Sequence, residues 1–346
     1  MSLFRDAVAG KNNGYPPIWM MRQAGRYHSH YRAMKEKYSF LDLCRNPDLA
    51  CEVTMGPIND FDFDAAILFS DILFPLNVLG TPLDFAPSPQ LGFLLNSIGD
   101  LKRYTTDPDI SQLDFQTRAL SQIRAELPKD KGLIGFVGGM MTLYVFAVHG
   151  THKTDLTSAR DGFKDGRFEG FMQHIFPVML ENMVLQASEN IDALAIFESC
   201  AGDIDLDTFG NLYLPYLRDL LTQFKNRCPN TEIIYYAKGV GDDYWKLLRG
   251  LPIRVLGIDY NQNLSLTLQN WSDAFSIQGN FDPRHLTLDP DACEEKILDY
   301  FHTLYAVSDP FMSHYICGTG HGLVPEVREE NVKKFIQLSR EMWHNS

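Results

Sequence analysis

Arg22 and Arg26 stand four residues apart with Gly25 between them. In a helical or turn conformation both guanidiniums reach the same side, where their planar forks suit two carboxylates. The chain holds 31 Lys plus Arg against 44 Asp plus Glu, a formal charge of −13, so its overall field repels anions. An anionic ligand must therefore be met by a local cationic cluster such as this pair. The plainer alternative is a surface pair neutralised by Asp or Glu. Asp71 ends the apolar run Ala65-Ala66-Ile67-Leu68-Phe69-Ser70. A carboxylate there is expected to be half-buried, which is tolerated only beside hydrogen-bond donors or a cation. Asp71 could also serve as a helix cap, although Ile72-Leu73-Phe74-Pro75 is a poor helix start.

Weaker candidates stand further along the chain. His321 lies between Gly320 and Gly322, which leave room for a ligand, yet an isolated histidine is commonly structural. Glu198-Ser199 suggests a nucleophile, but no G-x-S-x-G elbow surrounds Ser199. Lys238 has the place of a Schiff-base lysine, although a lysine there is more often structural. His314-Tyr315-Ile316-Cys317 alternates its side chains across a strand, and no second Cys or His group has matching spacing, so no metal site is expected. The G-x-G at Gly318 lacks the rest of a dinucleotide pattern.

These residues need elements to hold them. Short apolar runs bounded by Gly, Pro, Asn or Asp predict about eight strands. They run over Pro17–Met21, Phe63–Phe69, Gly132–Val137, Ala193–Phe197, Glu232–Ala237, Arg254–Ile258, Phe275–Gln278 and Ser313–Cys317. Helical patterns fall between most of them, at Ile110–Leu127, Phe171–Asn190, Thr208–Asn226, Asp243–Arg249, Ala292–Ala306 and Asn331–Trp343. Near-continuous apolar strands such as Ala193–Phe197 read as parallel strands buried on both faces. Alternating strand and helix predict an α/β fold, a single-domain (β/α)₈ TIM barrel over residues 1–346, with a doubly wound sheet as the rival. Elaborated loops are expected near 80–97, rich in Pro and Leu, and near 150–167, polar and flexible. In such a barrel the strand exits converge on one mouth, and the residues singled out above all follow predicted strands.

Composition excludes several classes. The acidic balance argues against binding nucleic acid or anionic membranes, and no run approaches the length of a membrane helix. Six scattered cysteines without a C-x-x-C pair, and no apolar signal segment, predict a reduced, cytoplasmic protein.

Trp19-Met20-Met21-Arg22-Gln23-Ala24-Gly25-Arg26-Tyr27 resembles the N-terminal signature of the uroporphyrinogen decarboxylase family. Asp64 to Leu73, Phe197-Glu198-Ser199 with Ala201-Gly202, Gln278-Gly279-Asn280 with Asp282-Pro283, and Gly320-His321-Gly322 with Pro325-Glu326 resemble its other motifs in the same order, across nearly the whole chain. The resemblance implies a barrel, a homodimer, no cofactor, and a reduced tetrapyrrole polycarboxylate as substrate. Each of the four acetate side chains of uroporphyrinogen III would lose CO₂ and become methyl, giving coproporphyrinogen III in heme biosynthesis. It also implies substrate contacts at Arg22, Gln23, Ala24, Gly25, Arg26, Asp71, Phe146, Ser199 and His321. Asp71 would be the central carboxylate that stabilises a cationic ring, and Arg22 a proton donor ranked only slightly ahead of His321.

The sequence departs from the family in places. Met140-Met141 replaces the usual Pro-Trp, Phe146 stands where a tyrosine normally contacts the substrate, Lys35 replaces an arginine, and Cys200 a frequent aromatic. Tyr144, two residues from Phe146, would face the opposite side of a helix. These departures admit a paralogue with altered substrate, and Phe146 with Met140-Met141 suggests a tetrapyrrole binder without turnover; a further rival, a zinc-dependent methyltransferase of the related barrel group, lacks a matching Cys/His ligand set.

Overall fold

A computed structural model describes residues 2–85, 88–151, 155–305 and 307–344. Seven parallel strands form one sheet, adjacent in the order Ala65–Ile67, Gly132–Gly138, Ala193–Glu198, Glu232–Ala237, Val255–Gly257, Ser276–Phe281 and Tyr315–Thr319. The predicted first strand is reduced to an extended segment that joins the two sheet edges. Trp19 N–H donates to Cys317 O (3.2 Å), Cys317 N–H to Pro17 O (2.9 Å), and Asp64 N–H to Ile18 O (2.8 Å). Ile18 N–H in turn donates to the Asp64 carboxylate at 2.8 Å. Eight segments therefore close the ring, as a parallel α/β barrel requires.

Side-chain parity sorts the core into two layers. Trp19, Met21, Ala65, Ile67, Ile134, Ala193, Ala195, Ile234, Tyr236, Val255 and Ile316 fill the lumen. Their neighbours Ala66, Leu133, Leu194, Ile196, Ile233, Tyr235 and Leu256 face the helical layer. The short helix Leu3–Val8 plugs the N-terminal end through Phe4, Ala7 and Val8. A Cβ at Gly132 would lie 2.2 Å from the Phe4 ring, so glycine is required for this close approach. The open end is thus the one where strands run into helices.

The helices follow the predicted periodicity, with boundaries shifted by a few residues. Arg167–Ala187 starts four residues before the predicted helix, and Leu214–Arg227 is preceded by a π-helical turn, Phe209–Tyr213. Two expectations need correction. Ile72-Leu73-Phe74-Pro75 does open a helix, Phe74–Val78, because Pro75 sits in its first turn, where its missing N–H has no cost. The polar stretch 150–167 contains the helix Thr157–Asp165 rather than a flexible connection. Buried Arg167 fastens it, donating to Ser158 O (2.9 Å) and to Leu95 O (3.2 Å), so it ties both elaborated loops together. The 80–97 stretch carries a two-stranded antiparallel ribbon, Leu83–Asp84 with Gln90–Leu91. Residues 86–87 and 152–154 of these loops lie outside the described residues.

Candidate active site

The mouth is organised around the turn that follows residues 17–19. Arg22 adopts φ 61°, a left-handed conformation that a side chain with a Cβ rarely accepts. Strain of this kind clusters where a side chain must be aimed. Gln23 holds the turn from beneath: it is 1% exposed, accepts from Met20 N–H (3.2 Å) and donates to Ala65 O (3.0 Å). Its amide is spent inside the protein, so its part in the site is to fix the turn and not to touch a ligand. Ala24 and Gly25 lie on the partly buried outer rim of the same turn. Leu323 N–H donates to Met21 O (2.9 Å), stitching this turn to the loop that carries His321.

The Arg22 stem lies across Gly322, where a Cβ would come within 2.6 Å of its Cδ. Gly322→Ala is therefore expected to push the guanidinium aside and raise KM for a polycarboxylate about tenfold, as loss of one charged hydrogen bond does, with little change in Tm. Steady-state kinetics beside a thermal melt checks this; an unchanged KM would show that Arg22 does not depend on Gly322. Among the described residues no carboxylate lies within 4.0 Å of the Arg22 or Arg26 guanidinium, so the pair is not a neutralised surface pair. Burial pushes Arg22 below its ordinary pKa, and the like charge of Arg26 adds to this while Asp71 opposes it. Two cations are thus held near one another, with their charge directed at solvent.

Asp71 is half-buried at the exit of the Ala65–Ile67 strand. One carboxylate oxygen accepts from Leu73 N–H at 2.9 Å, a local turn that fixes its direction. Burial pushes its pKa up to about 6, against the opposing pull of the Leu73 N–H and the Arg22 charge. Its other oxygen accepts from no described residue. Arg22 and Asp71 therefore feel each other electrostatically without forming an ion pair.

An aromatic floor lies below them. Phe136 and Phe197 have ring centroids 5.6 Å apart, and Phe197 and Tyr236 6.3 Å. Tyr236 O–H donates to Gly320 O at 3.0 Å, fixing the backbone next to His321. Phe197 faces the lumen with Ala193 and Ala195, and half-buried Ser199 lies in the turn just past the strand end. His321 is half-buried beside Gly322, and Lys238 is exposed at the exit of its strand. The floor escaped the sequence reading, although strand parity read from Ala193 onward would have pointed Phe197 into the mouth.

Phe146, like Met140 and Met141, is buried within the helix Met140–His149. Tyr144 faces away, as expected from its spacing: its hydroxyl donates to Ala159 O (3.0 Å) and its ring meets Phe163, Phe168 and Phe171. No group of three or more His, Cys, Asp or Glu side chains is placed to hold a metal ion among the described residues. No described helix is long and apolar enough to cross a membrane. The mouth thus offers a cationic pair, a carboxylate with one oxygen that accepts from no described residue, and a floor of rings packed at steep angles to one another.

The model of the family described as "Uroporphyrinogen decarboxylase (URO-D)" matches residues 1–342. A uroporphyrinogen decarboxylase of Helicobacter pylori (strain G27) is 33% identical over 341 residues, 97% of this chain and 98% of its own. Those of Chelativorans sp. (strain BNC1) and Rickettsia bellii are 34% and 32% identical, covering 97% and 99% of this chain and the same shares of their own. Among solved structures, a methyltransferase from Methanosarcina mazei superposes with a TM-score of 0.76, covering 99% of this chain and 98% of its own at 14% identity. That likeness extends to the fold alone.

Proposed function

The chain belongs to the uroporphyrinogen decarboxylase family, and on that premise we propose how its mouth removes the acetate carboxyls of its substrate. The protein is a carboxy-lyase of porphyrin and heme biosynthesis acting on a tetrapyrrole polycarboxylate. The observation that carries the residue assignment is Asp71, half-buried, with one oxygen unengaged and Arg22 nearby but unpaired.

Loss of CO₂ from a carboxymethyl group leaves an electron pair on carbon. Protonation of the adjoining pyrrole carbon beforehand gives that pair somewhere to go: the ring becomes a cation, the C–C bond electrons neutralise it and leave an exocyclic methylene, and a solvent-derived proton added to that methylene, with loss of the proton on the ring carbon, yields the methyl group and restores the pyrrole. Asp71, ionised, accepts hydrogen bonds from the pyrrole N–H groups and stabilises each cationic ring in turn, a preorganised charge in a poorly hydrated site. Arg22 and Arg26 hold substrate carboxylates. Proton delivery is assigned to Arg22, ranked only slightly ahead of His321. Ser199 contributes a hydroxyl at the rim, and the Phe136–Phe197–Tyr236 floor supports the macrocycle. The route uses no cofactor and no metal.

The expected dimer belongs to this proposal, as does a cytoplasmic setting; sedimentation of the purified protein at assay concentration distinguishes dimer from monomer. The function is tested by supplying the chelator-dialysed protein with freshly reduced uroporphyrinogen and measuring released CO₂. Full activity supports the cofactor-free route, while CO₂ release lost to the chelator and restored by zinc would show that the decarboxylation needs a metal.

Phe146 decides between an enzyme and a silent tetrapyrrole binder. One neutral hydrogen bond contributes about 0.5–1.5 kcal/mol, so Phe146→Tyr is expected to change kcat/KM by no more than about tenfold from an already active natural protein. A silent natural protein activated by that one substitution would make this chain the non-catalytic form.

A further inference from the structure

Glu198 is the last residue of the Ala193–Glu198 strand and, by parity, points away from the lumen into the helical layer. It is 0% exposed. One carboxylate oxygen accepts from Thr142 N–H (2.6 Å) and from the Thr142 hydroxyl. The other accepts from Tyr213 O–H at 2.5 Å, at the end of the π-helical turn Phe209–Tyr213. Burial pushes its pKa up, and these donors oppose the shift.

The partners explain why a carboxylate is buried there. The helix Met140–His149 begins at Gly139, which has no side chain to cap it. Its first N–H groups have no partner inside the helix and present positive charge. Glu198 supplies the cap from a neighbouring strand. A Cβ at Gly139 would sit 2.0 Å from the Glu198 carboxylate, so the glycine and the glutamate occupy one place between them. Thr142 passes the connection on, its hydroxyl accepting from Cys200 N–H at 3.3 Å.

The capped end supports the Asp71 loop. A Cβ at Gly138 would lie 2.9 Å from Ile72 Cβ and 3.4 Å from Ile72 O, so the backbone that enters the helix is packed directly on the residue after Asp71. Phe197 and Ser199, which flank Glu198 in sequence, are mouth residues.

We propose that Glu198 is a positioning residue for the decarboxylation: by capping the Met140–His149 helix from the adjoining strand, it fixes the surface on which the Asp71 loop rests. This rests on the reading of Asp71 given above. The arginine turn is anchored elsewhere, through Gln23 and Leu323. Loss of Glu198 therefore acts on turnover and leaves substrate affinity in place.

The test is kinetics of Glu198→Ala and Glu198→Gln, each well below its melting temperature. Glu198→Ala is expected to lower kcat by about thirtyfold with KM within about threefold, while Glu198→Gln, which still accepts from Thr142, keeps kcat within about threefold. A folded Glu198→Ala with kcat within about threefold of the natural protein, whatever its Tm, would leave only a structural role and overturn the proposal. Should Glu198→Ala not fold, Thr142→Val removes one donor and keeps the shape; about a fivefold fall in kcat supports the proposal and an unchanged kcat overturns it. Asp71→Asn measured alongside separates the two possible failures. Full activity there removes the premise and the proposal with it, whereas an inactive Asp71→Asn beside a fully active Glu198→Ala overturns the Glu198 role alone.

Discussion

Asp71→Asn lowers kcat by on the order of 10²–10³-fold, the usual cost of removing one preorganised group aimed at developing charge. The amide keeps the shape and the bond from Leu73 N–H, but it removes the negative charge that stabilises the protonated ring. The same substitution should not destabilise the fold. Asp71 titrates at about 6 in the folded protein, above its ordinary value, so the folded state binds more protons than the unfolded one between those two pKa values. Stability is therefore lost as pH rises through that window, and an ionised Asp71 at pH about 7 is a net burden on the fold. Asp71→Asn is expected to melt at the same temperature or higher at neutral pH, with the difference vanishing below pH about 4. A variant that melted much lower would make Asp71 a structural residue, and one that turned over at the natural rate would remove it from the chemistry.

Arg22→Ala lowers kcat/KM by roughly tenfold to a hundredfold, from about 1.5–3 kcal/mol per charged hydrogen bond, with both KM and kcat affected because the same group binds carboxylate and stands beside Asp71. Its pH profile carries a second signature. The natural protein needs Asp71 ionised, so kcat/KM should fall as pH drops through about 6. Arg22 pulls the Asp71 pKa down, and its removal lets that pKa rise. The acid limb of Arg22→Ala should accordingly lie at higher pH than that of the natural protein. A limb that did not move would separate the two groups electrostatically, contrary to the geometry. Arg26→Ala, further from Asp71, should raise KM while leaving the limb where it is.

Much of this was legible in residue types and spacing. Strand period and turn residues placed the barrel strands, because a parallel strand covered on both faces must be apolar throughout. The short first strand was legible as an apolar run, although only its backbone bonds to Cys317 and Asp64 show that it closes the ring. That Arg22, Arg26 and Asp71 come together at the barrel mouth was legible because all three follow predicted strands, whose exits converge on one end. The role of Gln23 was not, since nothing in its neighbours tells whether its amide turns inward to Ala65 O or outward to solvent. The helix Pro47–Phe61 was missed despite its Asn46 cap and Pro47 at the first position, signals that its mixed sequence obscured. Glu198 was read beside Ser199 as a catalytic candidate; only its fixed partners Thr142 and Tyr213, distant in sequence, reveal a cap. Contacts of that kind depend on which segments the barrel brings side by side, which no local pattern records.

The central claim is that electrons left by departing CO₂ are received by a ring cation and returned as a C–H bond. It is tested most directly by turnover of uroporphyrinogen in D₂O followed by mass spectrometry of the oxidised products. The account predicts loss of all four acetate carboxyls as CO₂ and one solvent deuterium on every new methyl group, with the same products in chelator. Products that kept all their carboxyls, or methyl groups formed without solvent deuterium, would contradict it.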